Sequence, residues 1–396
     1  MTRTEASLDR ADAAQPMQRN TAIDSLRVAM MSVVMLGHPL LPYTTVPRRF
    51  KDPATLPAVD VLAVFLYGFA MPAFFVTAGF AASALYARRG SAAFWKNRGL
   101  RIALPLVVGY VLLTPLTRAA YEFAQTAAQT GSLISAWHVV TEAQWLRWGK
   151  VYHLWFLASL ILFSGGAAIV QSLVNTQANR ASTIGTRLKH ALFQTPGLIG
   201  LTLCVAAFMI PSYAAGTGQG TDGWMQLAVF GFFLLGWTLF HWRDLLPRLT
   251  ERWWLGPAVA LAVMPLCGWA TRERLLAEDV ADLKLGFIAG GTNAVLAVAM
   301  TLGLLGIFQR FFATRGALGQ YVSDASYWVY LIHFPIVIAA GGVMSVFDIP
   351  AGFKYLATIA ISLPLILGSY EFLVRRSPLR HVLGGAKPPS AADAAR

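Results

Sequence analysis

Charge is what this sequence has least of. Asp, Glu, Lys and Arg make up 13% of its 396 residues, against 56% apolar residues; a soluble domain carries about 25% charged residues. That shortage excludes a disordered chain, which needs low hydrophobicity and high net charge, and disfavours a soluble globular enzyme. Acid is scarcer still, 19 Asp+Glu against 32 Lys+Arg, a net charge of +13. An excess of base can point to nucleic acid, but here it falls in short clusters between apolar runs of about 20 residues, the length that spans a bilayer. No nucleic-acid partner is expected; membrane lipid is. Cysteine is nearly absent, with only Cys204 and Cys267, which excludes a disulfide framework and any zinc-type spacing. No metal site and no permanently bound cofactor is expected. No cleavable leader is expected, because the first 20 residues are polar and the first apolar run is long enough to span. No internal repeat is visible, so the inverted-repeat signature of many transporters is missing too.

What is present is an all-α pattern of about ten membrane-spanning helices. They are expected near 22–41, 61–87, 100–117, 151–171, 192–213, 224–241, 253–270, 286–309, 326–347 and 355–374. Residues 1–20 read as a cytoplasmic tail, 21–376 as one membrane domain and 377–396 as a second cytoplasmic tail. With the N-terminus inside, the cytoplasmic segments hold 21 basic residues and the external ones 10, so the positive-inside bias puts both termini in the cytoplasm. The longest external segment, about 118–150, ends in TEAQWLRWGK. Trp137, Trp145 and Trp148 suit a helix at the membrane surface, either as interfacial anchors or as part of a substrate-binding rim.

Ionisable residues inside a span are costly and mark function by default. Asp24, Arg27 and His38 fall within about 60° on one face of the first span. Asp24 and Arg27 can pair, while His38 lies about 16 Å further along the axis, toward the outer leaflet. A helix-end ion pair plus a buried, hydrogen-bonded histidine is the competing account. Arg98 and Arg101, at i,i+3 before the third span, could grip phosphate with their guanidinium forks; positive-inside topology alone also explains them. In SDASYWVYLIHFP, Ser326, Tyr330 and His333 share a face, with His333 about 10 Å in from Ser326 on the cytoplasmic side. A structural hydrogen-bond role fits each of these alone. His153 opens the fourth span on the same membrane side as His38, and Asp60 is one candidate to orient His38.

Five segments in order, IDSLRVAMMSVVMLGH, FAMPAFFVTAGF, FWKNRGLRIALP, HLWFLASL and SYWVYLIHFP, resemble the membrane-bound acyltransferase-3 family. The nearest likeness is to its glucan-biosynthesis protein C subgroup, which succinylates periplasmic glucans; MPAFFVTAGF, VSDASYWVYLIHFPI and FLVRRSPLRHVLGGAKP carry it. The resemblance implies a ten-helix enzyme of the bacterial inner membrane. It would move an acyl group from cytoplasmic acyl-CoA, succinyl-CoA foremost, to a hydroxyl of a periplasmic glucan. It also implies that His38 is catalytic and that Arg98 and Arg101 hold the donor, while Arg27 matches the family's first-helix arginine. With the residue reading added, the CoA phosphates are expected on Arg27, Arg98 and Arg101, and Asp24, His153, Ser326, Tyr330 and His333 are expected to form a supporting network. One departure is Ala78-Gly79-Phe80, where the family often has Ser-Gly-Phe, so any role of that hydroxyl is lost or passes to Thr77. Acetylation of lipopolysaccharide or another surface polysaccharide is a related reading. Transport of a glycan or acidic solute, or a scaffold without chemistry, is an alternative from another class.

Overall fold

The computed structural model describes residues 20–142, 146–176, 194–216, 222–277, 283–314 and 316–383. Among them there is helix but no strand. Helix α1, Thr21–Gly37, is capped by the Asn20 side chain, which accepts from the Ile23 amide at 3.1 Å. Pro39 has no N–H to continue the ladder, and the chain passes at His38 into a 3₁₀ turn, His38–Tyr43. Helices α2, Pro57–Arg98, and α3, Leu104–Thr130, are joined by a π turn over Gly99–Ala103. Short α4, Leu133–Thr141, follows. Then come α5, Trp155–Thr176, α6, Thr195–Ala214, and α7, Gly223–His241. Short α8, Leu246–Glu251, leads into α9, Leu255–Leu276. Helices α10, Leu283–Phe311, α11, Ala317–Ser345, and α12, Ala351–Ser369, complete the bundle.

Eight helical stretches among the described residues are long and apolar enough to cross a membrane. The pair Arg243–Glu251 and Leu255–Leu276, bent by 67°, makes a ninth. One of the eight, Pro57–Thr130, has 74 residues. Straight, it would run about 110 Å through a hydrocarbon core about 30 Å thick. It is broken at Gly90, whose φ of 70° and ψ of 176° no helix contains. Counted as two crossings, it brings the total to the ten expected from sequence.

Two boundaries differ from expectation. The segment read as an external loop is mostly helical, since α3 runs on through 118–130 and α4 follows. Glu122, Gln125 and Gln129 lower the hydropathy there without breaking the helix. Of the expected surface helix, α4 carries Trp137, whereas 146–150 has no regular secondary structure. There the Trp148 indole donates to the Val111 carbonyl at 3.1 Å; Trp145 lies outside the described residues. Toward the C-terminus, a short helix α13, Arg380–Leu383, sits within the expected tail, and Leu383 is buried in the core.

Helices in lipid gain little from the hydrophobic effect and pack through small residues. At the crossing of α2 and α7, a Cβ on Gly79 would meet the Phe233 carbonyl oxygen at 2.0 Å, and one on Gly236 the Val76 carbonyl at 1.9 Å. Gly79 is the centre of the Ala-Gly-Phe segment, so what that segment secures here is backbone approach. The Thr77 hydroxyl, the expected substitute for the missing serine, donates to the Phe74 carbonyl of its own helix at 2.8 Å.

Candidate active site

His38 is the first residue after α1, and its ring is held by the carbonyl that its own helix end exposes. Nδ1 donates to the Val34 carbonyl at 2.7 Å. A carbonyl can only accept, so the neutral ring carries its proton on Nδ1 and keeps the Nε2 lone pair. His333, fully buried on α11, donates from Nδ1 to the carbonyls of Tyr330 at 2.8 Å and Val329 at 3.1 Å. Its Nε2 therefore faces His38 Nδ1 as an acceptor, at 3.4 Å. His153 joins from the 3₁₀ turn just before α5, donating Nε2–H to the Leu331 carbonyl at 2.8 Å. Its carbonyl in turn accepts from the Tyr330 hydroxyl at 2.7 Å. Ring centroids stand 5.1 Å apart for His38–His333 and 5.5 Å for His153–His333, with Phe334 4.8 Å from His38.

This corrects one expectation. His333 does not stand apart in the cytoplasmic half; it touches His38. Helix α11 begins at Ala317, nine residues before the expected start, so His333 is about 24 Å from the helix start. Ser326 does not follow it into the cluster, and its hydroxyl donates to Ser323 of its own helix at 2.7 Å. Asp60 is not the orienting partner of His38. Its carboxylate takes the Thr45 amide at 2.7 Å, the Thr45 hydroxyl, and Arg272 Nε at 3.1 Å.

The three histidines line one cavity of about 300 Å³, together with Tyr67, Asn293 and Arg48. Two buried atoms on its wall, Tyr67 Oη and His153 Nδ1, have no hydrogen-bond partner among the described residues, which suits a polar ligand. Asn293 is presented by α10 and donates to the Thr271 hydroxyl at 2.8 Å. Arg48 reaches in from the loop after the 3₁₀ turn. Its Nε donates to the Thr44 hydroxyl at 3.0 Å, and it makes no ion pair among the described residues. Desolvation at this mouth pulls its guanidinium below the ordinary arginine value, against the opposing pulls of Tyr67, Tyr121 and the Asp60 carboxylate. The loop that carries it is pinned by a buried pair, Lys354 Nζ to Asp52 Oδ1 at 2.9 Å.

The expected donor-binding arginines lie elsewhere. Arg27 stands 3.8 Å from Asp24, the pairing read from their spacing. Arg98 lies over the Phe94 ring at 5.0 Å, with Nε buried and without a hydrogen-bond partner among the described residues. Arg101 is exposed, and its carbonyl accepts from the Tyr327 hydroxyl at 2.6 Å. The π turn separates the two, so a spacing of three does not put them on one α-helical face. None of the three lines the histidine cavity. Sequence reading missed Arg48 and Tyr67. The only signal for Arg48 was a basic pair, Arg48-Arg49, on the side that the positive-inside rule leaves poor in base.

A polytopic helical bundle that gathers three histidines around one largely apolar cavity defines an integral membrane protein with an enzyme-like pocket. The chain belongs to the acyltransferase-3 family, whose Acyltransferase domain matches residues 20–370; it is an acyltransferase. Glucans biosynthesis protein C of Salmonella schwarzengrund is 24% identical over 386 residues, covering 94% of this chain and 96% of its own length. The proteins of that name from Salmonella typhi and Salmonella typhimurium give the same figures. No solved structure matches the chain.

Proposed function

We propose that this protein moves a succinyl group from cytoplasmic succinyl-CoA to a hydroxyl of a periplasmic glucan, with His38 as general base. The protein would sit in the bacterial inner membrane with both termini in the cytoplasm. One observation carries the reading: His38 lines the cavity with its Nδ1 proton committed to Val34 and backed by His333. In this reading Nε2 takes the proton of the acceptor hydroxyl as its oxygen attacks the thioester carbonyl. The C–S bond breaks, and the leaving thiolate collects the proton from the imidazolium. His333 Nε2 and the Val34 carbonyl accept from Nδ1–H while the ring is positive, the role of the third member of a catalytic triad. General-base catalysis is worth about 10²–10⁴ in rate.

Arg48 supports succinyl over acetyl, because a cation without an ion pair in the same cavity suits an acyl group that brings its own carboxylate. The glucan rests on the printed name of the relatives. The CoA phosphates are assigned to Arg27, Arg98 and Arg101, the pantetheine arm passing between helices to His38.

The test is acceptor-dependent CoA release from succinyl-CoA by the purified protein in lipid, with mass spectrometry of the glucan. We expect a succinyl increment that His38→Ala abolishes. Undiminished transfer in His38→Ala would remove the mechanism. Replacing Arg48 by Gln should raise KM for succinyl-CoA about tenfold or more while leaving acetyl-CoA unaffected; equal effects on both would remove the succinyl assignment.

A further inference from the structure

A second cavity, of about 260 Å³, lies beside the histidine site, between α3 and the segment before α5. It is lined by Arg49, Thr114, Arg118, Arg147, Lys150 and Tyr152, among others. One carboxylate serves these four cations. Glu122 Oε1 takes Arg49 Nη2 at 2.7 Å and stands 3.7 Å from Arg118 Nε. Arg147 and Lys150 have no ion pair or hydrogen bond among the described residues. The site therefore holds an excess of three positive charges. Two of its buried polar atoms, Thr114 Oγ1 and Arg118 Nε, also lack a hydrogen-bond partner among the described residues. Arg147 and Lys150 are exposed, and an anion entering the cavity would be attracted by four cations that share one carboxylate.

The surroundings say where that anion comes from. Alongside the cavity, α3 turns a broad apolar face outward that ends two residues short of Arg118, with Val107 61%, Leu112 59% and Leu116 51% exposed. A surface of that kind faces lipid in a spanning helix. Trp148, half exposed, lies against the middle of that face with its indole N–H on Val111; tryptophan is enriched near the membrane–water boundary. The cations thus sit where lipid phosphates lie, and guanidinium forks match phosphate oxygens two at a time.

We propose that this cavity binds a phosphate group, supplied by the headgroup of an anionic phospholipid. Occupancy would bear on the histidine cluster through Arg49, whose Nη1 donates to the Tyr152 hydroxyl at 3.0 Å. Tyr152 holds a positive φ of 42° immediately before His153. The proposal stands independently of acyl transfer.

The test is native mass spectrometry of the detergent-solubilised protein with equal amounts of phosphatidylglycerol and phosphatidylcholine, beside an Arg147→Gln/Lys150→Gln variant. A parallel arm measures the thermal unfolding shift produced by inorganic phosphate alone. An Arg248→Gln/Arg252→Gln control carries the same charge change away from the cavity. We expect phosphatidylglycerol to be retained preferentially by the wild type and the control. The preference should fall by roughly tenfold or more in the double variant. A phosphate-dependent shift that the variant loses, with no lipid preference, keeps the site and makes soluble phosphate its source. Equal retention of both lipids without such a shift, or a preference untouched by the double variant, would overturn the proposal.

Discussion

The Val34 carbonyl decides what His38 is able to do. By accepting from Nδ1 at 2.7 Å, it sets the tautomer and leaves Nε2 as the basic nitrogen, and His333 adds a second acceptor behind the same proton. His333 is thus a positioning residue in the proposed reaction. A hydrogen bond to a charged group is worth about 1.5–3 kcal/mol. His333→Leu is therefore expected to lower kcat by roughly 10- to 100-fold with KM nearly unchanged. His333→Gln, whose amide oxygen still accepts, should recover part of the loss. If KM and folded yield fell together with kcat, and Gln recovered nothing, His333 would only be filling space. His38, His153, Tyr330 and His333 were all legible in the sequence as polar residues on apolar helices. Their meeting was not, because spacing along one helix does not tell which helices adjoin. Arg48 was hidden for another reason: in a loop, a basic residue reads as topology until its lack of an ion pair can be seen.

Among the elements, α2 does the most positioning. It carries Tyr67 to the cavity, crosses α7 through Gly79 and Gly236, and breaks at Gly90 to send the chain back as α3. The crossing has no room for a methyl group, since both added Cβ atoms would fall on backbone carbonyl oxygens. Gly236→Ala should destabilise the fold by about 1–3 kcal/mol or more, seen as a lower midpoint of thermal unfolding in detergent. An unchanged midpoint would mean that the helices can part without cost. The loop before α2 depends on the Asp52–Lys354 pair, which is almost wholly buried. Lys354→Met strands a buried carboxylate, a loss of about 3–5 kcal/mol, and Asp52→Asn in the same chain should return part of it. Helix cores were legible from hydropathy, because one apolar residue after another is what lipid demands. Helix ends were not. The polar final turns of α3 and the nine residues added to the start of α11 are helical on hydrogen-bonding grounds that hydropathy does not register.

At the scale of the whole molecule, the proposed chemistry needs the cavity mouth and the arginine clusters to face opposite sides of the bilayer. Thr44, Arg48, Asp60 and Arg272 line one cavity, and the count of basic residues leads us to expect that mouth on the external side. The expectation can be checked with single cysteines in a background where Cys204 and Cys267 are replaced by Ala. Lys51→Cys and Arg147→Cys should react with a membrane-impermeant maleimide added to intact spheroplasts; Arg89→Cys and Lys96→Cys should react only after the membrane is opened. All four native side chains are exposed, so failure to label reports sidedness and not burial. The reverse pattern would put the His38 cavity on the side where acyl-CoA is made. Donor and acceptor would then meet in one compartment, and nothing would be left for Arg27, Arg98 and Arg101 to hold across the membrane. Labelling of Lys51 and Arg147 from outside would instead leave the acyl group a single route, inward from the arginines, between the helices, to the imidazole.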